Sequence, residues 1–170
     1  MIKKYKTIWF ILVCILLGIG GIFMFNIFQN KTYVVGKDIP QQDIKEFYHT
    51  YSNINFNAKY QRYYFYVENG QPMFFHETRE RPNDYGFLTE EDTTKKGSFA
   101  LTKEEWDQFY SLIQNGTVEK RKESNETGDA GPWMYLYWTK DQDQYQEYHF
   151  PSYEQAKECE AFCIELSNRQ

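Results

Sequence analysis

Residues 59–79 read KYQRYYFYVENGQPMFFHETR, and this stretch decides the fold. Its first ten residues are rich in aromatic strand formers. Asn69-Gly70 follows, a pair that tolerates positive φ at both positions and is the strongest short hairpin signal. Residues 71–79 then return as a second strand. Side chains along the first strand alternate between two faces. Tyr63, Phe65 and Val67 share the face that reads as core. Tyr60, Arg62, Tyr64 and Tyr66 share the other, and they are the candidate partner-binding residues. Tyrosine combines an apolar ring with a polar tip, which suits half-exposed sheet faces and interfaces. The competing explanations are structural cover by a loop or helix, or a codon bias that favours Tyr.

Outward from the hairpin, the segment before it reads as a helix. Ile44, Phe47, Tyr48 and Tyr51 follow i, i+3, i+4, i+7 spacing over 40–52. Asp38 with Gln41 resembles a capping box, and Pro40 suits a first turn. After the hairpin, 80–97 is polar, with Arg81-Pro82-Asn83-Asp84 as a turn and 88–92 as a helical turn. Thr102 and Glu105 then form a capping box, Leu101 and Trp106 occupy its hydrophobic-staple positions, and Trp106, Phe109, Tyr110 and Ile113 make a buried stripe. Asn115-Gly116 stops that helix. Strands are expected at 117–122, 133–140 and 144–150, with a loop at 123–131. Strand 133–140 carries bulky side chains on both faces and reads as central. A last helix over 153–167 starts at Ser152 and Gln155. The expected fold class is α+β: an N-terminal transmembrane helix, then one small domain with a roughly five-stranded antiparallel sheet and helices packed mainly on one face.

The composition of the 170 residues is that of two unlike parts. The first 30 residues hold 20 hydrophobic residues and no carboxylate, whereas the other 140 hold 24 carboxylates against 16 Lys and Arg, a charge of −8. Ile8 to Phe28 is 21 residues without a charge, about 30 Å of helix at ~1.5 Å per residue, the thickness of a bilayer core. Lys3, Lys4 and Lys6 precede it, so positive-inside bias keeps residues 1–7 in the cytoplasm and sends the C-terminal part outside. The resulting order is a basic tail 1–7, a span 8–28 contacting the lipid bilayer, a linker 29–38 and an extracytoplasmic domain 39–170. A cleavable leader would need a shorter apolar run, and Cys14 lacks the preceding small residue of a lipoprotein site.

No motif in the chain selects a reaction. There is no GxSxG, SxxK, HExxH or phosphate-binding loop. His49, His76 and His149 have no metal-ligand spacing. Asp141-Gln142-Asp143 starts like a calcium loop but lacks its Gly and closing Glu, and Glu90-Glu91-Asp92 reads as a solvated turn. Cys159 and Cys163 lie one helical turn apart; core packing, a disulfide and metal or redox chemistry all remain open for them. Lys120-Arg121-Lys122 is flanked by Glu119 and Glu123 and reads as a charged edge strand. The −8 charge argues against nucleic acid. No cofactor and no metal are expected.

LTKEEWDQFYSLIQNGTVEKR, WMYLYW and FPSYEQAKECEAFC together resemble a pattern in small uncharacterised membrane-anchored extracytoplasmic proteins of Gram-positive bacteria, over 100–166. The resemblance implies this order of elements and an envelope location. It implies no activity and no site residues. The expected function is a single-pass anchored, non-enzymatic binding domain for a membrane complex, a secreted protein or a cell-envelope glycan. The alternative is a tethered envelope hydrolase using carboxylates that the sequence cannot pair. The anchor reading has a direct check. Alkaline carbonate should leave the chain in the membrane pellet, and protease added to intact cells should remove residues 31–170. Survival of that region in intact cells overturns the orientation.

Overall fold

A computed structural model describes residues 31–120, 131–138 and 146–169. They form one eight-stranded sheet whose strand neighbours all run antiparallel, in the order β1-β6-β8-β7-β2-β3-β4-β5. The strands are β1 (Tyr33–Val34), β2 (Ile44–Asn53), β3 (Ala58–Glu68), β4 (Gln71–Arg81), β5 (Thr93–Ala100), β6 (Thr117–Lys120), β7 (Trp133–Trp138) and β8 (Gln146–His149). Two α-helices, α1 (Lys103–Ile113) and α2 (Tyr153–Ser167), cover one face, which is called inner below.

The five-stranded expectation is therefore corrected to eight strands, and the reasons are local. Residues expected as a helix over 40–52 form β2, entered through a single 3₁₀ turn at Gln41–Asp43. A β-bulge at Lys45 shifts the register between Ile44 and Glu46, which puts Ile44 and Phe47 on the same inner face. Tyr48 points to the other face, which is also aromatic. A bulged strand with bulky residues on both faces thus imitates helical spacing. Asp38 does not cap this segment; its carboxylate accepts from the Val34 N–H at 2.9 Å. The second missed strand is β5. Its sequence, TTKKGSFA, alternates between half-buried and exposed positions at the sheet edge, so half of it is polar. The third is β1, two residues inside the stretch read as a linker, with Val35 and Ile39 beyond it fully buried. Among the described residues no helix is long and apolar enough to cross a membrane, and the apolar run 8–28 lies outside them.

Elsewhere the local chemistry acts as its residue types dictate. Asn69 and Gly70 both take positive φ, 52° and 82°, and join β3 to β4. Thr102 and Glu105 bond reciprocally, Thr102 N–H to the carboxylate at 2.8 Å and Glu105 N–H to the hydroxyl at 3.2 Å. Asn115 ends α1 with φ 71°. β7 sits inside the sheet, between β8 and β2.

The core is a set of interlocking rings. Phe65 stacks on Phe109 of α1 at 3.9 Å between centroids, lies parallel to Phe162 of α2 at 6.4 Å, and tilts against Phe74 at 4.9 Å. Phe47 meets Phe109 and Tyr148 edge-on. Tyr148 donates its hydroxyl to the Ile113 carbonyl at 2.9 Å, tying β8 to the end of α1. Gly116 lies directly under that ring, and any Cβ there would fall inside it. Gly116→Ala should therefore destabilise the domain by about 1–3 kcal/mol through overpacking. Thermal unfolding of the full chain checks this; a melting point equal to wild type would contradict the packing.

Candidate binding face

Pleating assigns each strand residue to one face, and the register then assembles the outer face across strands. Tyr135, Tyr48, Tyr64, Phe75 and Ser98 lie in one cross-strand row on β7, β2, β3, β4 and β5. Tyr137, Glu46, Tyr66 and Met73 form the next row. Tyr60, Arg62, Tyr64 and Tyr66 are all half-buried and together on this face, while Tyr63 and Phe65 are buried on the other. The alternation read from the sequence is thus the alternation of the structure. Both described helices lie on the inner side.

The tyrosines form a ladder. Tyr48 and Tyr64 stack at 4.3 Å with 14° between their planes, and Tyr64 and Tyr66 stack at 4.6 Å and 10°. Tyr137 meets Tyr48 edge-on at 6.1 Å. Tyr64 is thus stacked on both sides, and Tyr48 and Tyr66 each turn one ring face to it. The Tyr48 hydroxyl donates to Glu46 at 2.9 Å, and those of Tyr66 and Ser98 are 3.1 Å apart. Burial, followed by its hydrogen bonds with Tyr64 and to the Glu46 carboxylate, pushes the Tyr48 phenol far above its usual range. Burial likewise raises Tyr60 and Tyr64. All three stay neutral at physiological pH.

Charged side chains stand on both sides of the ladder. On the β4–β5 side, Glu77 is 3% exposed and accepts from Arg79 Nε and Nη2 at 2.9 and 2.7 Å. Lys96 Nζ is 4.0 Å away from it. Arg62 is the cross-strand neighbour of Glu77 on β3, and its Nε is buried without a hydrogen-bond partner. The Arg79 guanidinium lies over the Tyr60 ring at 5.3 Å. Three cations thus surround one carboxylate. On the β6–β8 side, Glu119 and Glu147 are direct cross-strand partners. Glu147 is also the cross-strand neighbour of Tyr135 and lies 3.9 Å from His149, and Glu119 accepts from the Thr32 hydroxyl at 3.3 Å.

The remaining sequence candidates resolve into structural roles or fall outside the described residues. His49 and His76 are both buried on the inner face, in register with Tyr63 between them, and His149 is exposed on β8. His49 thus lies in β2, within the segment expected as a helix over 40–52. Among the described residues no group of His, Cys, Asp and Glu is arranged to hold a metal. Asp92 forms a two-point ion pair with Arg81, at 3.1 and 2.7 Å, and that guanidinium holds its carboxyl down at about 2. Cys159 and Cys163 are free and fully buried in the core, and burial pushes the Cys163 thiol well up. Asp141 to Asp143, Arg121 and Lys122 lie outside the described residues.

Sequence reasoning missed part of the face. Tyr48 was hidden in the false helical stripe, and the Trp133, Tyr135, Tyr137 set was visible without a means to say which face it joined. It also missed a cluster at one end of the sheet, where Phe56 and Tyr85 meet at 5.3 Å and Phe87 is 81% exposed. Comparison with protein-family models, curated proteins and solved structures found no match.

His49 offers a test of the inner face. Burial lowers its pKa to about 4 from an ordinary 6.5, and its Nδ1 has no hydrogen-bond partner. Between those values the unfolded chain binds a proton that the folded chain refuses, so stability rises with pH across the window and falls on acidification. The full difference corresponds to roughly 3 kcal/mol. Denaturant titrations from pH 7 to pH 4 should show that His49→Phe loses less stability than wild type. Equal losses would place His49 in a solvated site.

Proposed function

We propose that this chain is a membrane-anchored, non-enzymatic binding domain, held outside the membrane by the run 8–28, that engages a partner through its aromatic outer sheet face. The observation that carries this reading is the face itself. A stacked tyrosine ladder extends across β2 and β3, with Tyr60 and Arg62 beside it and no described helix over it. Aromatic residues and arginine are the types enriched at interface centres. The ladder geometry favours a protein partner over a glycan. A sugar stacks on a free ring face, whereas Tyr48, Tyr64 and Tyr66 turn their faces to one another. Ring edges, hydroxyls and guanidinium groups instead suit carbonyls and side chains of a second protein surface.

A photocrosslinking residue in place of Tyr64, in the full chain in intact cells, tests the face. A discrete adduct is expected, with none from the same residue in place of exposed Glu104 on α1. Arg62→Ala or Tyr66→Ala should lower its yield at least threefold while leaving the melting curve folded. Equal labelling from both positions, or no adduct from Tyr64, contradicts the reading.

A further inference from the structure

Asn-Gly occurs twice in the chain, at Asn69-Gly70 and at Asn115-Gly116. The pair has a chemistry of its own beyond turn formation. Once hydroxide removes the proton from the glycine N–H, that nitrogen can attack the carbon of the asparagine side-chain amide. Glycine has no Cβ to obstruct the approach. A C–N bond closes a five-membered imide, and the bond to the side-chain nitrogen breaks. That nitrogen leaves as ammonia, taking its proton from water and regenerating hydroxide. A second water then opens the imide. Attack at the side-chain carbonyl gives aspartate. Attack at the main-chain carbonyl gives isoaspartate, in which the backbone runs through the side chain. No electrons change hands, and water is the co-reactant.

The fold treats the two pairs oppositely. The asparagines do not separate them, since Asn69 and Asn115 are both exposed with positive φ, 52° and 71°. The attacking nitrogen does. Gly116 is buried, and its N–H donates to the Ile113 carbonyl at 3.2 Å. Its carbonyl accepts from the Val35 N–H at 2.9 Å, and the Asn115 N–H donates to the Val35 carbonyl at 2.9 Å. The Tyr148 ring fills the space beside it. Turning the Gly116 nitrogen onto the Asn115 side chain would break this set of bonds inside a packed core. Gly70 is exposed, and a Cβ there would meet nothing within 4 Å. Among the described residues its N–H donates to no acceptor. Only the Glu68–Gln71 pair borders the turn.

We propose that Asn69 is a site of spontaneous deamidation in the folded protein, and that the fold protects Asn115. Either product adds a carboxylate next to Glu68. Isoaspartate also adds one carbon to the backbone of a two-residue turn, which the Glu68–Gln71 pair must absorb. That change reaches α1. The Gln71 side chain donates to the Leu101 carbonyl at 2.9 Å, and the Leu101 N–H donates to the Pro72 carbonyl at 2.9 Å. Leu101 directly precedes Thr102, the cap of α1.

The full chain in detergent micelles, aged at neutral and at mildly alkaline pH and then mapped by peptide mass spectrometry that separates isoaspartate from aspartate, reads both sites in one sample. Asn69 should convert at least tenfold faster than Asn115, faster at the higher pH, with isoaspartate as the larger product. In denaturant the two sites should convert at similar rates, because the dipeptide is the same. Asn69→Gln should stop conversion at that position, since its larger ring closes far more slowly, and should leave Asn115 as slow as before. The isoaspartyl form should melt below freshly prepared Asn69→Asp, which carries the same charge on an ordinary backbone. Equal rates at both sites in the folded chain overturn the proposal. So does an Asn69 that converts only in denaturant, or at a rate that does not rise with pH. An isoaspartyl form as stable as Asn69→Asp overturns the link to α1.

Discussion

Everything in this domain is arranged around the ring of Phe65. It projects inward from the third strand, stacks on Phe109 of α1 at 3.9 Å and parallels Phe162 of α2 at 6.4 Å. Phe47 and Phe74, its cross-strand neighbours on either side, extend the same layer. The two helices share no sequence neighbourhood, yet both dock on this one ring system. Residues 31–170 hold only 14 Val, Ile and Leu, and nine of the 20 buried hydrophobic residues among those described are aromatic. Ring stacking restricts geometry more than aliphatic contact does, so the helices are held in position as well as held on.

That inner constraint determines the outer face. Once Phe65 points inward, the pleat sends Tyr64 and Tyr66 outward. The register with β2 and β7 then brings Tyr48, Tyr135 and Tyr137 beside them. The helices are engaged on the inner side, which leaves the tyrosine ladder facing away from them. Tyrosine tolerates this because its ring buries against neighbouring rings while its hydroxyl bonds to Glu46 or Ser98. The same register brings Arg62, Glu77 and Lys96 into one cross-strand row. The aromatic character of this face is therefore a by-product of how the core is packed.

Several features of the fold were legible because their signals are short in range. Asn69-Gly70 dictates a tight turn through positive φ at both positions, and the Thr102–Glu105 box dictates a helix start through two reciprocal bonds. Both depend on residues no more than three apart. The in–out alternation of β3 was legible for the same reason. β2 was not, because a bulge at Lys45 and aromatics on both faces produce helical spacing in a strand. β5 was not, because an edge strand needs an apolar residue only at every second position and carries Lys95 and Lys96 without penalty. β1 is two residues long and exists only because β6 pairs with it.

The sequence by itself thus determined the hairpin, both helices, the acidic balance of the C-terminal part, and the membership of Tyr60, Arg62, Tyr64 and Tyr66 in one face. Each follows from local backbone preference or simple periodicity. Only the tertiary structure decided that the sheet has eight strands, that both described helices lie on the inner side, and that Arg79 and Lys96 gather across strands around Glu77 while Glu147 stands opposite Glu119. Those facts depend on which strands pair and in what register. Pairing is a long-range choice, made by the burial of Phe65 and its neighbours rather than by any residue's own preference.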